Sequence, residues 1–167
     1  MTTHSPSLTS ILTRGLIVGA LTGFGVSALY SLLLIGLFLA VIFFGALSAL
    51  PTHPGDTAMM LFIGPASAGF MLICASFIGV LPGIILGAVI GLLISLPVGL
   101  LRSRLTPLTA AGVGVLVSAG VVALIHVFML NYDPDPTLRE YLLLTILPGV
   151  FCIGAGGWVG WKLHKFG

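Results

Sequence analysis

Three long stretches of this chain contain no charged side chain. No Asp, Glu, Lys or Arg lies between Arg14 and Asp56, between Asp56 and Arg102, or between Arg104 and Asp133. Each stretch exceeds the roughly 20 residues that a helix needs to cross a bilayer. Because lipid offers no hydrogen-bond partners to the backbone, such stretches fold as helices that satisfy their own peptide groups. The sequence therefore predicts an all-α integral membrane protein.

Three short polar segments that contain proline divide the chain into four predicted transmembrane helices. The separators are PTHPGD, LRSRLTP and NYDPDPTLRE, and proline beside polar residues is typical of helix ends. The chain is 58% hydrophobic and 6% charged, whereas a soluble domain carries about a quarter charged residues. We therefore expect one transmembrane domain, 1–167, with spans at about 15–48, 62–101, 107–130 and 141–161.

The first two predicted spans are longer than one bilayer crossing requires. The 36 uncharged residues from Gly15 to Leu50 would form a helix of about 54 Å, against about 30 Å of hydrocarbon. A six-helix arrangement, split near Tyr30 and Pro82, keeps every charged segment on the same side, so charge does not distinguish it. Four helices are preferred because neither split point carries a polar turn.

Basic and acidic residues occupy different segments of the chain. Five of the six basic residues lie in the N-terminal tail, the second separator and the C-terminal tail, and all four acidic residues lie in the first and third separators. Segments rich in Lys and Arg stay in the cytoplasm. The distribution predicts that both termini are cytoplasmic, in what we expect to be a bacterial inner membrane.

Two pairs of similar segments suggest an internal repeat. LPGIILGAVIG at 81–91 resembles LPGVFCIGAGG at 147–157, and GVSAL at 25–29 resembles GVVAL at 120–124. Both pairs keep the same order, which fits two tandem helical hairpins with the same orientation in the membrane. In a glycine-rich apolar sequence such matches also arise by chance, so a duplication and a coincidence both stay open.

Glycines recur at every fourth position within the spans, and residues four apart share a helix face. In lipid there is little hydrophobic drive between helices, so close backbone approach over small residues supplies the contact. These rows predict packing faces, directed toward another helix of this chain or toward a different subunit. The predicted packing residues are Gly15, Gly19, Gly23, Gly79, Gly83, Gly87, Gly91, Gly156 and Gly160.

Two prolines, Pro82 and Pro148, fall inside predicted spans, each within a Leu-Pro-Gly triplet. Proline lacks the N–H donor and crowds the preceding helical turn. Both positions therefore predict helix kinks, and a static kink tolerated by neighbouring helices is favoured over a hinge that lines a cavity.

His126 is the one side chain with ligand chemistry inside a predicted span. A neutral imidazole there is a candidate axial ligand to a haem iron or to the magnesium of a chlorophyll-type pigment. A haem with two histidine ligands needs a second histidine at the same depth, which the sequence does not supply, so a chlorin fits better. A histidine that hydrogen-bonds a neighbouring helix is the simpler interpretation. A lipid bound in the glycine grooves is the other ligand that the sequence allows.

The predicted spans also constrain function. They contain no Asp, Glu, Lys or Arg, which argues against a proton-coupled transporter and a voltage sensor. The sequence contains no metal-ligand cluster, nucleophile elbow or phosphate-binding loop, so we expect no enzyme. A net charge of +2 without a basic run argues against a nucleic-acid partner.

A non-catalytic subunit of a larger membrane complex, such as a respiratory or photosynthetic assembly, is the function that these features favour. Its expected partners are other membrane-protein subunits and the lipid bilayer. The alternative is a small oligomeric transporter or channel for a neutral or hydrophobic solute. That alternative predicts a cavity lined by Tyr30, Ser27 and a kink at Pro82.

Overall fold

The computed structural model describes residues 7–49, 54–75, 79–132 and 146–166, and these ranges contain helices and no strand. The helices are α1 (Leu8–Ala49), α2 (Pro54–Ala75), α3 (Leu81–Leu100), α4 (Pro107–Tyr132) and α5 (Leu147–Phe166). Three of them are long and apolar enough to cross a bilayer: α1 over Leu8–Ser48, α3 over its whole length, and α4 over Pro107–Phe128. The all-helical, multi-pass membrane character predicted from the sequence is confirmed to this extent.

The structure describes the first long predicted span more completely than the second. Helix α1 runs without interruption from Leu8 to Ala49, so the chain does not split near Tyr30. Within the second predicted span, 62–101, the structure describes α2 to Ala75 and α3 from Leu81, with helical residues also at 79–80. Residues 76–78 lie outside the described residues, so the choice between one span and a hairpin split near Pro82 stays a prediction. The apolar part of α2, Phe62–Cys74, is shorter than a bilayer crossing requires.

Helix α5 overlaps the fourth predicted span, 141–161, of which the structure describes residues 146–161. Its last turns are less apolar than a transmembrane segment, because they carry Trp158, Trp161, Lys162 and Lys165. This helix is therefore not among the three candidate membrane spans. A fourth crossing and the orientation of the termini stay predictions.

The described chain forms two compact units, and α1 contributes to both. Unit 1 comprises the described residues up to Val26 and those from Gly83 onward. Its core joins Ile94 and Val98 of α3 to Ala110 of α4 and Val159 of α5, and Val18 of α1 packs against it. Unit 1 is therefore a bundle of four helical segments.

Unit 2, Ser27–Pro82, pairs the C-terminal part of α1 with α2. A Cβ atom added to Gly64 would lie 3.2 Å from Cγ2 of Ile42, and one added to Gly79 would lie 3.4 Å from the Ser31 hydroxyl oxygen. Gly79 follows Gly64 along the chain, whereas Ser31 precedes Ile42. The two stretches of chain that contain these residues therefore run antiparallel.

A reciprocal pair of hydrogen bonds between Thr106 and Thr109 caps the N-terminus of α4, where the turn from α3 ends. The Thr109 N–H donates to the Thr106 hydroxyl at 3.3 Å, and the Thr106 N–H donates to the Thr109 hydroxyl at 2.8 Å. Pro107 follows the cap at the first helical position, where its missing N–H costs no hydrogen bond. Nε2 of His164 lies 2.9 Å from the Leu105 carbonyl oxygen, which joins the last turn of α5 to this turn.

Candidate functional site

The glycine rows of α1 and α3 lie against each other in unit 1. A Cβ atom on Gly19 would lie 2.7 Å from Cα of Gly91, and one on Gly87 would lie 2.7 Å from Cα of Gly23. Backbone atoms cannot move aside as a flexible side chain can, so a side chain at these positions would force the helices apart. The contact is antiparallel and consists of Gly15, Gly19 and Gly23 with Gly83, Gly87, Gly91 and Ser95.

A second contact of small residues joins α4 to α5. A Cβ atom on Gly114 would lie 2.8 Å from the carbonyl carbon of Gly156 and 3.2 Å from the backbone nitrogen of Gly160. Gly160 also faces Ala110, and Gly156 faces Ser118. The α4 row is not evident from glycine spacing, because only one of its members is glycine. The signal in the sequence is instead a run of small residues at four-residue spacing.

The remaining predicted packing and kink positions lie near helix starts. Gly79 precedes α3 and contacts Ser31 of unit 2 rather than the α1–α3 contact. Pro82 and Pro148 are the second residues of α3 and α5. Helical residues directly precede both helices, at 79–80 and at Ile146, and the predicted kinks stay predictions. The prolines that lie inside described helices are Pro65 in α2 and Pro97 in α3.

His126 lies half-buried in α4. His164 is near the start of α4 through its contact with Leu105, about 30 Å along the helix axis from His126. Within the described ranges no group of three His, Cys, Asp or Glu residues could hold a metal ion. His4 and His53 lie outside the described residues. Ligation of a pigment by His126 stays a prediction.

Two cavities have very different linings. The larger, of about 380 Å³, is an open groove in unit 2 and is almost wholly apolar; Leu39, Ala40, Ile42, Phe43, Phe44, Gly64 and Pro65 line it. The smaller, of about 30 Å³, lies in unit 1; Ile11, Arg14, Ser95, Val98, Gly99, Arg102 and Leu163 line it. Neither lining includes the Tyr30, Ser27 and Pro82 set that the transport alternative predicts.

Seven glycines of the described helices face open space, because a Cβ atom added to any of them would meet nothing within 4 Å. They occur on α1, α2, α4 and α5, on surfaces that the contacts within each unit leave uncovered. The open glycines are Gly25, Gly36, Gly45, Gly69, Gly112, Gly120 and Gly154.

One hydroxyl in the α4–α5 contact has an unusual environment. Ser118 is 0% exposed, and its hydroxyl has no hydrogen-bond partner among the described residues. Ser95 is equally enclosed, at 1% exposed, but its hydroxyl donates to the Leu92 carbonyl oxygen at 2.8 Å. A buried polar group without a partner costs about 1–3 kcal/mol.

We expect Ser118→Ala to raise the free energy of unfolding of the detergent-solubilised chain by about 1 kcal/mol, because it removes an unsatisfied hydroxyl. Ser95→Ala is the matched control, and it should give no gain because it removes a formed hydrogen bond. Titration with a denaturing detergent, followed by circular dichroism, measures both. Destabilisation by Ser118→Ala as large as that by Ser95→Ala would contradict the expectation.

The described residues thus bring together small side chains between helices and basic side chains at one end of unit 1. At that end, Nζ of Lys162 lies 5.1 Å from the Trp158 ring centre, and Nζ of Lys165 lies 5.0 Å from that of Trp161. Such pairs suit a membrane interface, where an amphipathic ring meets a charged group.

No protein-family model, curated protein or solved structure matches the chain.

Proposed function

We propose that the chain is a non-catalytic subunit of a larger membrane complex. The observation that supports this most directly is the set of seven open glycines. Glycine weakens a helix by about 1 kcal/mol relative to alanine, and a surface covered only by lipid gains nothing in return. A helix of another subunit can approach such positions closely and gain van der Waals contact there.

The length of α1 supports the same proposal. Its 42 residues are about twice the roughly 20 that one bilayer crossing needs. Near its C-terminal end, Phe43, Phe44 and Leu47 are each at least half exposed. A partner protein that covers this end would remove from water the apolar side chains that extend beyond the hydrocarbon.

The proposal includes an orientation and a class of host. The end of unit 1 with Arg14, Arg102 and Lys162 would face the cytoplasm of a bacterial inner membrane, because basic segments are retained on that side. The chain would then cross four times. A respiratory or photosynthetic host is an analogy with complexes that contain small apolar subunits. In a photosynthetic host, His126 would be the position to bind a pigment.

Extraction of native membranes with a mild detergent, followed by size separation, tests the subunit role. We expect the chain to migrate with a large complex, whose proteins are identified by mass spectrometry and whose pigments are identified by absorption. The double variant Gly25→Leu/Gly36→Leu should remain inserted but lose most of its comigration, because its side chains would block close approach. Leu29→Ile, on the exposed surface of the same helix, is the control.

Migration of the wild-type chain alone, as a small colourless oligomer, would contradict the subunit role and favour transport. The observation behind that second candidate is the open apolar groove of about 380 Å³ in unit 2, a volume within the range of small-molecule sites. Flux of a hydrophobic solute into vesicles that contain the purified chain would then be the test.

A further inference from the structure

The lining of the small cavity of unit 1 includes two arginine residues beside apolar residues. Arg14 of α1 and Arg102 of the α3–α4 turn line it, together with the apolar side chains of Ile11, Val98 and Leu163. Three helices and a turn therefore form one small basic site, which none of them forms alone. None of its lining residues is acidic.

The position of this cavity along the helices corresponds to a membrane surface. The apolar stretch of α3 ends at Leu100, two residues before Arg102. Because α1 and α3 are antiparallel, with Gly15 beside Ser95, Arg14 lies at the same end of the bundle. The tryptophan and lysine pairs of α5 belong to this end as well, since Leu163 lines the cavity.

We propose that the cavity binds the phosphate group of an anionic phospholipid. A guanidinium group presents N–H donors in a planar fork that matches phosphate oxygens, and such charge-assisted bonds are the stronger class of hydrogen bond. Each guanidinium has five N–H donors, so a contact within the chain leaves others for a ligand. The apolar walls suit the glycerol and the first methylenes of an acyl chain.

The volume of the cavity limits which part of the lipid enters it. About 30 Å³ accommodates one or two atoms of the size of a water oxygen. Phosphate oxygens therefore enter, while the rest of the lipid lies along the outer surface, where Leu100 and Leu101 are exposed. The grooves between the glycine rows are not alternative lipid sites, because the opposite helix backbone fills them.

The proposal is tested on the purified full-length chain in a neutral detergent with 0.5 M NaCl. Phosphatidylglycerol, phosphatidylcholine and inorganic phosphate are titrated separately, and native mass spectrometry gives each dissociation constant. At this salt concentration the Debye length is only about 4 Å, so diffuse attraction to surface charge is suppressed. We expect phosphatidylglycerol to bind at least tenfold more tightly than phosphatidylcholine or inorganic phosphate.

Matched double variants identify the site. Arg14→Gln/Arg102→Gln should weaken phosphatidylglycerol binding at least tenfold. Arg104→Gln/Lys165→Gln removes the same charge from two exposed residues that do not line the cavity, and it should change binding by less than twofold. If the first variant does not fold, Arg102→Lys replaces it. Lysine keeps the positive charge but lacks the planar arrangement of N–H donors of a guanidinium group. Phosphatidylglycerol binding should therefore still weaken.

Equal losses in the two double variants, or no loss in either, would overturn the proposal. If inorganic phosphate bound as tightly as phosphatidylglycerol, the proposal that the phosphate group comes from a lipid would be wrong. Binding is measured on the isolated chain, so this outcome is independent of whether the chain belongs to a larger complex.

Discussion

Replacing Gly23 with leucine is expected to destabilise the isolated chain strongly, whereas Gly25→Leu, two residues further along α1, is expected to cause no loss of stability. A Cβ atom on Gly23 would lie 2.9 Å from Cα of Gly87 and 3.1 Å from the carbonyl carbon of Gly83, whereas one on Gly25 would meet nothing within 4 Å. Overpacking typically costs about 1–3 kcal/mol. A leucine against two backbones should reach the upper end of that range.

Titration with a denaturing detergent, followed by circular dichroism, measures this difference on purified protein. The same Gly25 position belongs to the proposed docking surface, so the two variants should separate two kinds of contact. Gly23→Leu should lower the stability of the chain itself, and substitution at Gly25 should affect only comigration with partners. Equal unfolding free energies for the two leucine variants would show that the α1–α3 contact does not determine stability.

The spacing of the glycines predicted which residues share a face, but it could not predict what that face contacts. A four-residue period fixes positions on one helix and carries no information about the register between helices. The pairing of Gly15 with Gly91 and Ser95, and of Gly23 with Gly83 and Gly87, depends on where α3 begins. The α4 row escapes a search for glycines because alanine and serine serve the same purpose beside Gly114.

The second predicted span illustrates a different limit. Charge and polar turns mark helix ends where a chain leaves the membrane, but the 62–101 segment contains neither. Proline is ambiguous in such a segment, because it occurs at a helix start, as at Pro82, and also inside a helix, as at Pro97. The sequence therefore predicts an apolar region over 62–101 without fixing whether it is one span or a hairpin, and both alternatives stay predictions.

The basic end of unit 1 was predictable as a charge distribution but not as a cavity. Sequence separates Arg14 from Arg102 by more than eighty residues, and only the antiparallel packing of α1 and α3 brings them to one lining. Leu163 completes that lining because His164 contacts the turn at Leu105. A site formed by three helices and a turn leaves no local pattern in the sequence.

The α4–α5 contact should be as sensitive to side-chain size as the α1–α3 contact. A side chain at Gly114 would meet the backbone of Gly156 and Gly160, whereas a Cβ atom on Gly112 would meet nothing within 4 Å. We therefore expect Gly114→Leu to cost about 3 kcal/mol, at the upper end of the usual overpacking range. Gly112→Leu, on the same helix, is the matched control and should cause no loss of stability.

Hydrogen exchange of the α5 backbone amides, followed by mass spectrometry, shows where that loss occurs. A cost of about 3 kcal/mol corresponds to roughly a hundredfold loss of protection. The loss should include the last turns of α5, because Val159 belongs to the core shared with α3 and α4 and separation of α5 would open it. Unchanged protection of α5 in Gly114→Leu would mean that this pair of helices tolerates a side chain between its backbones. The close approach over small residues would then be dispensable for holding α5 in the bundle.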